Sequence, residues 1–276
     1  MRTGCNTIHP TSRLGDETLE FRAREVCESL RLIADAGFDA AEFSHPTHLT
    51  REECTSIRQE LDRLRLEAWS AHAWQPLPAA PADIEGALGA LAPSMDSAER
   101  LGCKVVVVHS AGYDPAATDA ALAARREANL FVLRQLCERA AAFGGAVAVE
   151  NMQHRADWEF LVEMVNASGM PNAGLNVDTG HANLGDLGVE QAIRLGGGRI
   201  LTTHLQDNHG ERDEHLPPGC GEIDWPGCLR ALREVGYSGV LMVEITDRPG
   251  KPVPTPAADI RESHDNLRGF LNQVNW

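Results

Sequence analysis

The sequence predicts an α/β protein, a single (β/α)8 barrel domain over residues 1–276. Three features point there. Eight short apolar runs alternate with amphipathic stretches from one end of the chain to the other, the pattern of parallel strands joined by helices. Runs such as VVVV at Val105 to Val108, AVAVE and GVLMVE are β-branched and nearly uninterrupted, which suits strands buried on both faces. No Pro/Gly/Ser-rich linker divides the chain, and its length is that of one barrel.

The predicted strands are 2–8, 39–43, 66–72, 104–109, 146–150, 174–178, 199–205 and 239–245. The first helix, 17–36, carries Leu19, Val26, Leu30 and Ile33 at helical spacing and stops at Gly37. The second, 51–64, carries Ile57, Leu61 and Leu64. Stretches 84–101, 119–143, 157–165, 189–195 and 225–235 have the same period, and 257–274 closes the chain. Two Pro-rich pieces, 76–81 and 249–256, follow strands three and eight and are candidate lids. No G-x-G-x-x-G or Walker loop follows a strand, so no nucleotide cofactor is expected.

Composition narrows the partners. Forty acidic against 25 basic side chains give −15, and Lys104 and Lys251 are the only lysines. That balance argues against nucleic acid and anionic membrane. No apolar run is long enough to span a bilayer, and the N-terminus MRTGCNTIHP lacks the core of a signal peptide. Seven cysteines, none in a C-x-x-C pair, read as free thiols of a cytoplasmic protein.

The chemistry lies where the strands end. Strand three ends in His72, four in His109, five in Glu150 and six in Asp178, with His181 three residues on. Strand seven contains His204, followed by Asp207, and its loop carries Asp213 and His215; strand eight ends in Glu244. Any one of these reads equally as a helix cap or a solvated side chain. Together, in a barrel, they converge on one bowl at the C-terminal face. Packed there without a cation they would repel and be costly to desolvate. Mixed carboxylate and imidazole donors suit Mn, Co, Zn or Fe(II) better than Mg. Glu42 ends strand two and is expected on the same bowl, binding hydroxyls or pairing with an arginine. Trp74 reads equally as a sugar-stacking surface or a cover for the barrel rim, and Trp225 as structural.

The segments AVAVEN, GLNVDTGHANL, TTHLQDN, DEHLPPGCGEIDW and GVLMVEI resemble the xylose-isomerase-like superfamily of sugar-phosphate isomerases and epimerases, which also contains the apurinic-site endonucleases. The likeness spans nearly the whole chain. It implies one divalent metal held by Glu150, Asp178, His204 and Glu244, with His181 touching substrate hydroxyls. The expected reaction is proton abstraction next to a carbonyl through a metal-stabilised enediolate, with Glu150 and Glu244 as the acid/base pair. The substrate would be a small carbohydrate-like molecule, and the family implies homo-oligomers, for which the apolar C-terminal helix offers a surface. His72, His109, Asp213 and His215 also fill the endonuclease pattern, so a zinc phosphodiesterase is the alternative, as is a dehydratase or lyase using the same enediolate. The chain departs from the ketose epimerases before the Pro-Gly turn, where they carry arginine and it has Glu214 and His215; Arg212 is near enough to substitute.

Overall fold

The computed structural model describes residues 1–7, 22–112, 114–246 and 256–276. Eight parallel strands form one sheet: β1 (Thr3–Asn6), β2 (Ala40–Ser44), β3 (Glu67–Pro76), β4 (Val105–His109), β5 (Ala146–Glu150), β6 (Ala173–Asp178), β7 (Ile200–His204) and β8 (Leu241–Val243). Their order is β7-β6-β5-β4-β3-β2-β1-β8. A parallel bridge from Leu205 to Val243 brings the two ends together, with Leu205 N donating to Met242 O at 2.8 Å and Glu244 N to Leu205 O at 3.1 Å. The result is the predicted (β/α)8 barrel.

The helices are α1 (Ala23–Ala36), α2 (Arg51–Leu64), α3 (Ile84–Leu101), α4 (Asp119–Ala141), α5 (Arg155–Ala167), α6 (Thr179–Leu184), α7 (Val189–Gly196), α8 (Trp225–Glu234) and α9 (Pro256–Gln273). Local chemistry sets their ends. Gly37 closes α1 in the left-handed conformation, and Thr50 and Glu53 form a reciprocal capping box at the start of α2. α6 has no counterpart among the predicted helices, because its six residues are too few to show a helical period. One expectation changes. The apolar face of α9, expected at an oligomer surface, is already covered: Ile260 and Leu267 are fully buried where α9 packs on α1 and α8. Residues 17–21 of the first predicted helix and 249–255 of the second Pro-rich piece lie outside the described residues.

The barrel interior is apolar below and polar above. Ala40, Val105, Val107, Ala148, Val240 and Met242 are buried in the lower part, with Trp69 packed against them. Trp69 Nε1 donates to Thr202 Oγ1 at 3.0 Å. Gly174 is required there, since a Cβ would lie 2.4 Å from Leu201 Cγ.

A buried ion pair fixes the loop after β4. Arg125 of α4 donates through Nη2 to Asp157 Oδ1 of α5 at 2.7 Å and to Ser110 Oγ at 2.9 Å, and through Nη1 to Gly112 O at 2.8 Å. Ser110 Oγ donates to Asp157 Oδ2 at 2.6 Å. Removing one partner leaves a buried charge uncompensated. Arg125→Met is therefore expected to lower unfolding free energy in urea by about 3 kcal/mol, and Arg125→Met/Asp157→Leu to recover much of that. Equal loss in both variants would contradict this account.

Candidate active site and metal centre

Strand periodicity aims the ionisable groups inward. Side chains two apart on a strand share a face, so Ala40 leads to Glu42, Val107 to His109, Ala148 to Glu150, Asn176 to Asp178, Thr202 to His204 and Met242 to Glu244. Register then sets them side by side: His109 faces Glu150, Glu150 faces Asn176, and Asp178 faces His204. Glu150, Asp178 and His204 are fully buried, and Glu244 nearly so.

His204 is the centre. Its Nε2 lies 3.0 Å from Glu42 Oε2, which also accepts Ser70 Oγ–H at 2.6 Å. Held against that carboxylate through Nε2, the ring turns Nδ1 to the bowl. Nδ1 sits 3.0 Å from Glu150 Oε2 and 3.3 Å from Glu244 Oε2, yet it has no hydrogen-bond partner, and neither has buried Glu150 Oε1. Donor atoms of Glu150, Asp178 and His204 lie within 4.8 Å of one another, as do those of His72, His109 and Glu150. A buried, unpartnered imidazole nitrogen among carboxylate oxygens is the donor set a divalent transition metal takes.

The remaining predicted residues ring this centre. His72 Nδ1 is 3.1 Å from Glu244 Oε1, and its Nε2 is 2.7 Å from His109 Nε2. His181 Nδ1 lies 3.0 Å from Asn151 O and 3.3 Å from Glu150 Oε1. Asp213 Oδ2 stands between His181 Nε2 at 3.3 Å and His215 Nε2 at 3.0 Å.

Burial disfavours charge throughout, and the neighbours decide the outcome. Against burial, Glu244, Glu42 and Glu150 hold His204 well above the ordinary histidine range. Against burial, Asp178, Asp213 and Glu150 do the same for His181, and Asp213 and Glu244 raise His215 to about 9. Burial lifts Asp178 to about 7, aided by Glu150, Glu244 and Asp213 and opposed by His181. Imidazoles hold Glu150 and Glu244 well below the carboxylate range despite burial. Burial lowers His109 to about 4, and burial with His72 lowers His45 to about 3.

Three expectations are corrected. Glu42 does not face substrate: it is fully buried, gripping His204 and Ser70. Asp207 turns away from the bowl to accept from Trp225 Nε1 and Gly219 N, both at 2.8 Å, and so fastens the loop that carries His215. Arg212 is 77% exposed and reaches toward Glu214 at 3.9 Å instead of the bowl. Trp74 stands on the rim, 42% exposed.

Some residues gave no clear signal. Asn151 clamps the Asp178 backbone, with Oδ1 accepting Asp178 N at 2.8 Å and Nδ2 donating to Asp178 O at 3.0 Å. Asn176 Nδ2 donates to Glu150 Oε2 at 2.9 Å; a polar residue two before Asp178 in an apolar run was its one clue. Gln206 joins the two acids, its Nε2 lying 3.3 Å from Asp178 Oδ1 and 2.7 Å from Asp213 Oδ1, while its Oε1 accepts His215 N at 3.2 Å.

The family model described as xylose isomerase-like TIM barrel matches residues 30–270. The chain belongs to the xylose isomerase-like TIM barrel family. This family member is similar to an uncharacterised protein of Methanocaldococcus jannaschii, 30% identical over 278 residues, covering 95% of this chain and 90% of that one. An inosose isomerase of Bacillus subtilis is 27% identical over 163 residues, 55% of this chain and 57% of its own. The solved structure of a D-tagatose 3-epimerase-like protein aligns with a TM-score of 0.75 and 26% identity, over 100% of this chain and 98% of that one. The barrel is thus related to sugar isomerases and epimerases. Among the described residues, no helix is long and apolar enough to cross a membrane.

Gly180 leaves the room Gln206 needs, since a Cβ there would lie 2.1 Å from Gln206 Cδ. Gly180→Ala is expected to displace Gln206 from its carboxylates and destabilise the protein by about 1–3 kcal/mol. An unchanged urea midpoint would contradict that role.

Proposed function

We propose that this protein is a divalent-metal-dependent isomerase or epimerase of a sugar or related polyol ketone. The observation that carries the reading is the unpartnered Nδ1 of His204, fixed from behind by Glu42 and faced by Glu150 and Glu244. Kinship with an inosose isomerase and likeness to a D-tagatose 3-epimerase-like protein support it. Glu150, Asp178, His204 and Glu244 would hold the metal, with Mn, Co, Zn or Fe(II) fitting this mixed set better than Mg. Bound there, a divalent cation supplies positive charge that stabilises anionic oxygen when a carbon acid loses its proton.

The chain's own groups do the rest. Glu150, ending β5, and Glu244, just after β8, come from different sides of the barrel mouth and serve as base and acid, one taking a proton beside the carbonyl and the other returning one. Oε1 of Glu150 is buried beside His181 Nδ1, at 3.3 Å. His181, anchored through Nδ1 to Asn151 O and with Nε2 3.3 Å from Asp213 Oδ2, would polarise a substrate hydroxyl. His72, His109, Asp213 and His215 surround the same space as further metal or substrate ligands. The second donor group of His72, His109 and Glu150 favours one other reading, a zinc phosphodiesterase, which cleavage of an abasic duplex would reveal. The −15 charge opposes that reading, because gripping a DNA backbone relies on basic contacts.

Glu150→Gln is expected to cut solvent-deuterium incorporation into inosose or D-tagatose by about 10²–10⁴-fold with the fold intact. Undiminished incorporation in Glu150→Gln/Glu244→Gln would overturn the acid/base assignment. Glu42→Gln is expected to weaken metal binding by about 10–100-fold. Unchanged affinity in a metal titration would show that Glu42 does not orient His204.

A further inference from the structure

Non-glycine residues with a left-handed backbone are costly, the more so for bulky side chains. Among the described residues there are five, and Arg65 and Asn275 merely follow helices. The other three stand at the bowl: His215 at φ 47°, His45 at φ 48° and Trp74 at φ 42°. His215 belongs to the ligand ring already described. His45 and Trp74 do not.

His45 is held by a backbone contact with the site. His45 N donates to His72 O at 2.9 Å, and Thr47 N donates to His45 O at 2.7 Å. After His72 the β3–β4 register breaks and resumes at Pro76, where Leu77 N donates to His109 O at 2.9 Å. This irregularity re-aims Trp74 within the strand, as bulges beside active sites do. Exposed as it is, Trp74 contributes little core burial, so packing does not account for its strained backbone.

The rings form a continuous wall. Trp74 and His45 centroids are 5.5 Å apart, His45 and His72 5.8 Å, and His72 and His204 4.7 Å. Aromatic rings, each tilted 50–64° to the next, therefore run from the solvent rim to the histidine at the centre of the site. The loop after β7 contributes polar Asp213 and His215, and α6 contributes His181. A ligand between these surfaces meets hydrogen-bonding groups and ring faces together, which matches a polyol with hydroxyls at its edges and C–H bonds on its face.

We propose that His45 and Trp74 form a distal carbohydrate subsite that takes the C–H face of a six-carbon polyol ketone, beyond the carbons held at Glu150 and Glu244. This rests on the isomerase reading above. It makes His45 and Trp74 selectors of substrate length rather than participants in proton transfer.

The test compares solvent-deuterium incorporation, in Mn-loaded protein, into the six-carbon ketones D-tagatose and inosose and into three-carbon dihydroxyacetone. Wild type is expected to favour a six-carbon ketone. Trp74→Ala is expected to lower the six-to-three-carbon ratio of kcat/KM by up to about tenfold, mainly through KM, with Trp74→Phe restoring most of it. His45→Ala is expected to act in the same direction. As a readout independent of turnover, titrated D-tagatose or inosose should shift tryptophan emission in wild type and not in Trp74→Phe. An unchanged ratio in folded Trp74→Ala and His45→Ala, with wild type active, would overturn the subsite and leave the isomerase reading standing. Wild-type protein that loads metal but exchanges none of the three ketones would overturn both.

Discussion

Buried carboxylates crowded at one end of a barrel must be compensated, and this requirement organises the protein. Glu42, Glu150, Asp178 and Glu244 all lie essentially out of solvent. Without a cation, the imidazoles of His72, His181, His204 and His215 are drawn toward their charged forms to balance them. A divalent ion at this site would supply the same charge without protonating the rings. The outer contacts follow from the same demand. Glu42 and Ser70 hold His204 from behind, Asn176 holds Glu150, and Gln206 ties Asp178 to Asp213, so His204, Glu150 and Asp178 are each fixed by a further side chain.

Much of this was legible in the sequence, for a simple reason. A strand buried on both faces reads as an apolar run, and an acid or imidazole that ends such a run has few places to point except the barrel mouth. Hence β4 to β7, which end in His109, Glu150, Asp178 and His204, lie close to their predicted bounds. The same logic failed for Glu42. Its position on the inward face follows from its spacing from Ala40, but whether it meets substrate or the back of a ligand depends on His204, which reaches it from the far side of the chain. Asp207 failed differently: one residue out of step with the inward face, it turns to the loop and to Trp225.

Other features left no trace because they depend on backbone departures. His45 looks like the loop histidines His48 and His154, and only its left-handed conformation brings its ring to His72. The irregularity after His72 carries no glycine to announce it, so β3 was read as ending four residues early. Gln206 and Asn151 are ordinary polar residues until the carboxylates they hold are placed around them. The expected arginine role also did not survive folding, since Arg212 extends into solvent. In the proposed reaction, polar groups at the substrate end would come from His181, Asp213 and His215, and apolar contact from Trp74.

The central claim is that His204, with Glu150, Asp178 and Glu244, holds a divalent metal. Elemental analysis of protein purified without chelator tests it most directly. The account predicts about one tightly held transition-metal ion at this site, lost when His204 is replaced by alanine. Folded wild-type protein that carries no divalent metal, and takes none up when Mn, Co or Zn is supplied, would contradict it.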